Sequence, residues 1–423
     1  MLKPPPSYTI SFQLTRICHQ QVKISSSILN LNVSRRYLSS SRDSTTDFDF
    51  TSNIQLVPRW KNIKSKLAQT ATTALSCTSE VSQNSPIYQN LPFKATPKVN
   101  STNLKSALKG KDWLSTYFQL TKPHLTFLVM LSSICSYALS PYTADLTQLI
   151  ALTVGTTLCS GSANAINMGR EPSFDRQMTR TAMRPVARGA LSSKQAFKFA
   201  AGCGTMGGAI LLAGVNPVVS LLGVSNIALY GWLYTSLKRT SILNTWVGGL
   251  VGAIPPLMGW AAAANMPALS LLDPGCWCLA GLLYAWQFPH FNTLSHGIRE
   301  QYRKAGYIMT AWKKPLLNAR VAARYSLLMF PLCFGLTWYG VTDQWFPWDS
   351  GLVNGWLAFW SCRFYWQQRK VILGKYKGKN LEEAIIKVNK YAKKGFWCSI
   401  VQLPLVLILA IIHKKGRWDG VFE

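Results

Sequence analysis

The sequence predicts an all-α polytopic membrane protein, a bundle of about nine transmembrane helices, and three observations predict it. Of 423 residues, 48% are hydrophobic and only 14% charged, whereas an ordinary soluble domain carries about a quarter charged residues. Mean hydropathy is positive, at +0.10. From about residue 118 onward, apolar runs recur, each near the ~20 residues that crossing a bilayer demands. A chain this apolar is not a disordered one. The formal charge of +29, from 45 Lys+Arg against 16 Asp+Glu, would suit a nucleic-acid binder, but long apolar runs with 16 Trp and 18 Phe do not, and no nucleic acid is expected. The ten cysteines are scattered without a CxxC pair, so neither a zinc ribbon nor a thioredoxin-like site is indicated.

Taken in order, residues 1–42 hold Lys3, Arg16, Lys23, Arg35, Arg36 and Arg42 and no acid. A basic, Ser-rich, acid-free start without an apolar core has the composition of a mitochondrial transit peptide. Residues 43–114 are polar and Ser/Thr/Asn-rich, read as a loosely ordered matrix-side segment. The membrane body is expected over 115–415, with a short tail at 416–423. Its apolar runs lie near 118–140, 147–169, 195–214, 217–236, 244–264, 271–290, 324–342, 350–364 and 395–413. The eighth is short, and Arg363 places its end at an interface. The connections after runs two, four, six and eight hold 6, 2, 6 and 10 Lys/Arg, and those after runs one, three, five and seven hold none. By the positive-inside rule the basic face is the matrix face of a mitochondrial inner membrane. The stretch 365–394 reads as a basic matrix loop.

Acids are scarce on that face. Between runs two and seven its connections contain only Glu171, Asp175 and Glu300. Asn167, Glu171 and Asp175 recur every four residues, which on a helix forms one stripe with ~6 Å between turns, provided that the helix tolerates Pro172. Two carboxylates and an amide offer oxygen ligands to Mg²⁺, which completes its shell with water and phosphate oxygens. Arg176, Arg180, Arg184 and Arg188 follow, again spaced by four, and arginine forks suit phosphate. The alternative is a set of i,i+4 ion pairs and positive-inside arginines. Tyr234 to Arg239 ends run four, and Trp286 to Asn292 ends run six. All three clusters open on the same face, and polar residues kept at membrane depth point to a site.

The motif Asn167-x3-Glu171-x3-Asp175-x2-Met178-x-Arg180-Thr181-x2-Arg184-Pro185 resembles the first acidic motif of the UbiA-type intramembrane prenyltransferases. The stretches from Tyr234 through Lys238-Arg239, Asn244 and Gly252 to Trp260, and Trp286-Gln287-Phe288-Pro289-His290-Phe291-Asn292, are similar to the branch of that family that farnesylates haem. The likeness covers about residues 115–340 and implies a nine-helix UbiA-type fold. It implies transfer of a farnesyl group from farnesyl diphosphate to a vinyl group of haem b, giving haem O on the route to haem A. Asn167, Glu171 and Asp175 would then hold Mg²⁺–diphosphate. Arg180, Arg184, Lys238 and Arg239 would cradle diphosphate oxygens, and Glu300 would belong to the second acidic region. Asn244, Gln287, His290 and Asn292 would face substrate, with haem A synthase or oxidase assembly factors as protein partners. Three places depart from the pattern: Gln301 where an Asp is usual, Ala182-Met183 for Lys-Asn, and Ser236 for Pro.

Departure of an allylic diphosphate requires several negative charges to be spread, the work of a cation with arginines and lysines around it. Tyr234, Trp260, Trp286 and Phe288 would line a dry pocket and face the carbocation with their rings, unless they form an interfacial belt. No Ser-His-Asp arrangement is present or needed. His290 is the leading haem contact, with hydrogen-bonded structural histidine as its alternative; for Asn244 and Asn292 the alternative is helix capping. Three other classes stand beside this one. A transporter would place its acids at the midplane, a quinone-pathway polyprenyltransferase would take an aromatic acid, and a catalytically weak scaffold would serve oxidase assembly.

Overall fold

The structure, a computed structural model, describes residues 112–416; the leader expected over 1–42, nearly all of the polar segment over 43–114 and most of the 416–423 tail lie outside the described residues. The described elements are helices in the order α1 (Asp112–Leu120), α2 (Pro123–Leu139), α3 (Leu146–Arg170), α4 (Pro172–Asp175), α5 (Ser193–Gly214) and α6 (Pro217–Ala228). The last continues through a π-turn at Leu229–Tyr234 into α7 (Thr235–Thr240). There follow α8 (Asn244–Ala263), α9 (Pro267–Ser270), α10 (Pro274–Gly297), α11 (Arg299–Lys304), α12 (Thr310–Lys313), α13 (Pro315–Trp338), α14 (Phe346–Ile372) and α15 (Lys379–Ile412). Among the described residues the only β feature is an isolated Thr342–Lys414 bridge.

Helices stand at all nine predicted positions. Among the described residues six spans are long and apolar enough to cross a membrane: Leu146–Arg170, Ser193–Gly214, Pro217–Thr240, Asn244–Ala263, Pro315–Trp338 and Lys379–Ile412. The α2 helix is apolar but 17 residues long. The α10 and α14 helices are long enough but interrupted by His290, Asn292 and His296 in one and Arg363 in the other. Starts are set locally. Proline leads α2, α6, α10 and α13, where its missing N–H is harmless. Asp145, Asn216 and Asp273 accept first-turn N–H groups, and Ser192 with Gln195 forms a capping box.

Three boundaries differ from the expectation. The first run is two helices, broken at Lys122, which takes a left-handed φ of 50° ahead of Pro123. The short eighth run continues to Ile372. Most of 365–394 is helix rather than loop: α14 and α15 run past the apolar segment as a hairpin turning at 373–378. Hydropathy sees only the membrane-depth part of a helix, while Lys, Glu, Ala and Arg beyond it remain good helix formers.

The α3 helix packs along α5, α2 along α8, and α10, α13, α14 and α15 pack in succession. In lipid such contacts depend on close fit rather than on expelling water, so small residues sit at the crossings. A Cβ on Gly259 of α8 would collide with the Ser133 carbonyl of α2. The Pro255-Pro256 pair in α8 frees carbonyls one turn back, and Asn226 of α6 donates to one of them, Val251 O, at 3.2 Å. One core gathers Leu257, Trp260, Leu282, Phe346 and Val406; a second gathers Leu120, Leu152, Leu211 and Met258. A third, of Met178, Tyr302, Ala305, Tyr307 and Met309, joins the connections at the basic ends of α3 and α10.

Candidate active site

Pro172 decides the local geometry. The α3 helix stops at Arg170, Glu171 becomes its cap with φ −121° and ψ 28°, and the one-turn α4 carries Asp175 in a new direction. The predicted stripe therefore survives only in its first half, where Asn167 Nδ2 donates to Glu171 Oε2 at 2.8 Å. Residues 176–191 form turns, so the four arginines spaced by four diverge. Arg176 Nε donates to Ala187 O at 2.6 Å, Arg188 reaches Gln119 Oε1 at 3.4 Å, Arg180 lines a cavity, and Arg184 turns to Asp175.

Both acids are buried and neutralised. Glu171, 0% exposed, pairs through Oε2 with Lys238 Nζ, while its Oε1 is buried without a hydrogen-bond partner. Asp175 accepts from Arg184 Nη1 on both oxygens, at 2.8 and 2.9 Å. Lys238 reaches this point from the far end of α6 because the π-turn adds a residue to the helix; Thr235 Oγ1 donates five residues back, to Tyr230 O, at 2.9 Å. The same turn stacks Tyr230 on Tyr234 at 5.3 Å, and the Lys238 ammonium stands 5.2 Å from the ring centres of both Tyr234 and Tyr307. Lys122, at the break before α2, donates to Asn167 Oδ1 at 2.8 Å and to the Tyr230 hydroxyl at 3.1 Å. Burial, and then the Arg184 and Lys238 charges, hold the Lys122 ammonium well below the usual lysine range. Burial opposes the Arg184 charge, but Asp175 more than offsets it and its pKa moves up. Burial pushes the Tyr302 and Tyr307 hydroxyls up, so both stay neutral donors.

These groups close one end of a cavity of about 690 Å³ walled by α2, α3, α6, α8, α10 and α15. Its walls away from the charges are apolar, with Leu125, Val129, Leu283, Leu403 and Leu407 among them. Of the predicted residues, Asn167, Asp175, Arg180, Arg184, Tyr234, Lys238, Trp286, Gln287, Phe288 and His290 line it. Glu171 lies directly behind, bonded to two of them.

Five predicted residues stand elsewhere. Arg239 lies 4.2 Å over the Phe174 ring and donates to Arg170 O at 2.9 Å, completing the end of α3. Asn244 ties Ser241 O and Ile308 O, and Asn292 donates to Asn318 O at 3.2 Å. Trp260 is fully buried in the core rather than facing the cavity. Glu300 pairs with Arg303 at 3.0 Å, one turn along its own helix. Gln301, at the departing position, accepts from the Thr179 hydroxyl at 2.9 Å and joins the two connections over the site. Lys122, Tyr230, Tyr302 and Tyr307 line the cavity and were not expected. For Lys122 the one available sign was the Lys-Pro pair ahead of an apolar run.

A helical membrane bundle with a charged site at one end of an apolar cavity, and no acids at its midplane among the described residues, fits an intramembrane transferase better than a transporter. Residues 128–375, more than half of the chain, match the UbiA prenyltransferase family, and the chain belongs to that family. Its relatives carry a narrower name. The mitochondrial protoheme IX farnesyltransferase of Candida glabrata is 60% identical over 368 residues, 84% of this chain and 80% of that protein. That of Saccharomyces cerevisiae is 55% identical over 403 residues, 89% of this chain and 85% of that protein. A solved structure of a digeranylgeranylglyceryl phosphate synthase covers 71% of this chain and 98% of its own at 16% identity, with a TM-score of 0.54, and shares the fold.

Proposed function

We propose that the chain is a protohaem IX farnesyltransferase of the mitochondrial inner membrane, with its site toward the matrix. It joins farnesyl diphosphate to a vinyl group of haem b to give haem O. The observation that carries the reading is the pairing of two buried, countercharged carboxylates with an adjoining apolar cavity lined by aromatic rings. The names of the relatives favour haem over an aromatic acid as acceptor. The absence of Lys and Arg from the odd-numbered connections supports the orientation.

Glu171, Asp175 and Asn167 fit a divalent cation: all their donors are hard oxygens, and Glu171 Oε1 is buried and unpartnered. Among the described residues no group of three His, Cys, Asp or Glu could hold a metal alone, so the ion would share its shell with substrate phosphate. When bound, Mg²⁺ supplies charge to the departing diphosphate. Lys238, Arg184, Arg180 and Lys122 then donate hydrogen bonds to diphosphate oxygens as the bond from the farnesyl carbon to oxygen breaks. The Tyr234 and Trp286 rings face the carbocation with their π electrons, and the apolar walls keep water away until the vinyl carbon has attacked. Water adds at the neighbouring carbon and loses a proton, leaving the hydroxyl of haem O.

The test is haem O formation in membranes given haem b and farnesyl diphosphate, with and without Mg²⁺. Turnover is expected to require the metal and to fall by about 100-fold or more in Asp175→Asn. Metal-independent turnover, or an unaffected variant, would remove the assigned role of this cluster. Properly folded protein that makes no haem O would favour the assembly-scaffold alternative.

A further inference from the structure

His290 and Trp286 face the cavity from α10, and both are fastened to a single residue of the last helix. Trp286 Nε1 donates to Ser399 O at 2.9 Å, and His290 Nδ1 lies 2.9 Å from Ser399 Oγ. The two rings stack at 4.7 Å with 21° between planes, and Phe396 flanks the imidazole at 5.1 Å. Ser399 itself is fully buried. Its hydroxyl has one proton, and that proton is committed: Ser399 Oγ donates to Phe396 O at 2.6 Å. Toward His290 the oxygen can therefore only accept, so the imidazole proton sits on Nδ1 and the lone pair on Nε2, on the ring edge away from Ser399.

We infer that Ser399 is a positioning residue: it fixes His290 as the Nδ1–H tautomer and so offers a bare Nε2 to the iron of the acceptor haem. This rests on the haem reading given above. A neutral imidazole whose second nitrogen donates to an oxygen is the form that ligates metals, and that outer bond sets both ring orientation and basicity. Holding the porphyrin by its iron would fix where its vinyl edge falls in the cavity, without any contact to that edge. A serine serving only as a tie between α10 and α15 would influence stability but not the tautomer.

The experiment uses full-length protein in lipid nanodiscs with ¹⁵N-labelled histidine rings. The chain has five histidines, and His290→Asn assigns the signal. In the unsubstituted protein His290 is expected as Nδ1–H. Ser399→Thr keeps that form, and Ser399→Ala moves it toward Nε2–H. On adding haem b alone, Ser399→Ala is expected to lose about 10-fold in haem affinity and to change the iron spin state, while farnesyl diphosphate binds as before. An Nε2–H ring in the unsubstituted protein, or a Ser399→Ala variant with unchanged tautomer and haem spectrum, overturns the proposal. Failure of the unsubstituted protein to take up haem overturns the iron contact together with the functional reading. The tautomer, read without haem, tells the two failures apart.

Discussion

Glu171 and Lys238 stand 67 residues apart in sequence and meet with almost no solvent around them, the lysine side chain 11% exposed and the glutamate 0%. A buried pair of this kind adds little over an apolar pair of similar volume, but breaking it strands a charge. Lys238→Met is therefore expected to destabilise the fold by about 3 kcal/mol or more. Adding Glu171→Gln should return most of that loss while turnover stays absent. Thermal unfolding in detergent checks this, and a double variant whose loss is the sum of the two single losses would mean that the pair is not coupled. The acids at this site and their countercharges were legible in the sequence because charges are rare in such a chain and each needs a reason. Lys122 was not, since a lysine ahead of an apolar run looks like any positive-inside residue. Glu300 shows the converse. Its identity suggested a role, but only the direction of α11 decides that its carboxylate turns to Arg303 rather than to the cavity.

Element positions followed from hydropathy, and element ends did not. Pro123 and Pro172 are visible in the sequence, yet whether a proline kinks a helix or ends it depends on what receives the freed backbone groups. The π-turn at Leu229–Tyr234 left no periodic signal at all, although it sets the register that brings Lys238 to Glu171. The opposite ends of the helices are held by a clasp. His413 Nδ1 meets Asp343 at 2.9 and 3.0 Å, its Nε2 meets Asp349 at 3.0 Å, and Lys414 Nζ donates to the carbonyls of Ala138 and Ser140 at 2.7 and 2.8 Å. Burial pushes the Asp343 carboxyl up, but the His413 bond and the N–H groups of Trp345 and Phe346 outweigh it and hold the pKa below 3.8. A carboxyl depressed in the folded state stabilises fully above its ordinary value and loses that contribution as pH falls through the folded one. His413→Ala is thus expected to lower the unfolding temperature modestly at neutral pH. The difference should shrink as pH drops below 3.8, because protonated Asp343 no longer needs the partner. A difference that persists unchanged in acid would assign the clasp to packing instead of charge.

On the scale of the whole molecule, charge and cavity agree in direction. The connections with 24 Lys and Arg in all, and every charged residue of the site, belong to the same ends of the helices, while the clasp end has none of those basic connections. A farnesyl group enters water poorly and a diphosphate enters lipid poorly, so a site for both must lie where a helix bundle meets the aqueous phase. The basic end supplies that position and the countercharge together. Single cysteines placed at Gly374, in the turn between α14 and α15, and at Gln344, in the connection before α14, test the orientation directly. The native cysteines among the described residues are buried or half-buried and give a low background. In mitochondria stripped of the outer membrane, an impermeant thiol reagent is expected to label Gln344→Cys at once and Gly374→Cys only after the inner membrane is opened. The reverse order would turn the charged end of the cavity to the intermembrane space. The positive-inside asymmetry would then record the insertion history of the chain rather than the side on which its substrates arrive.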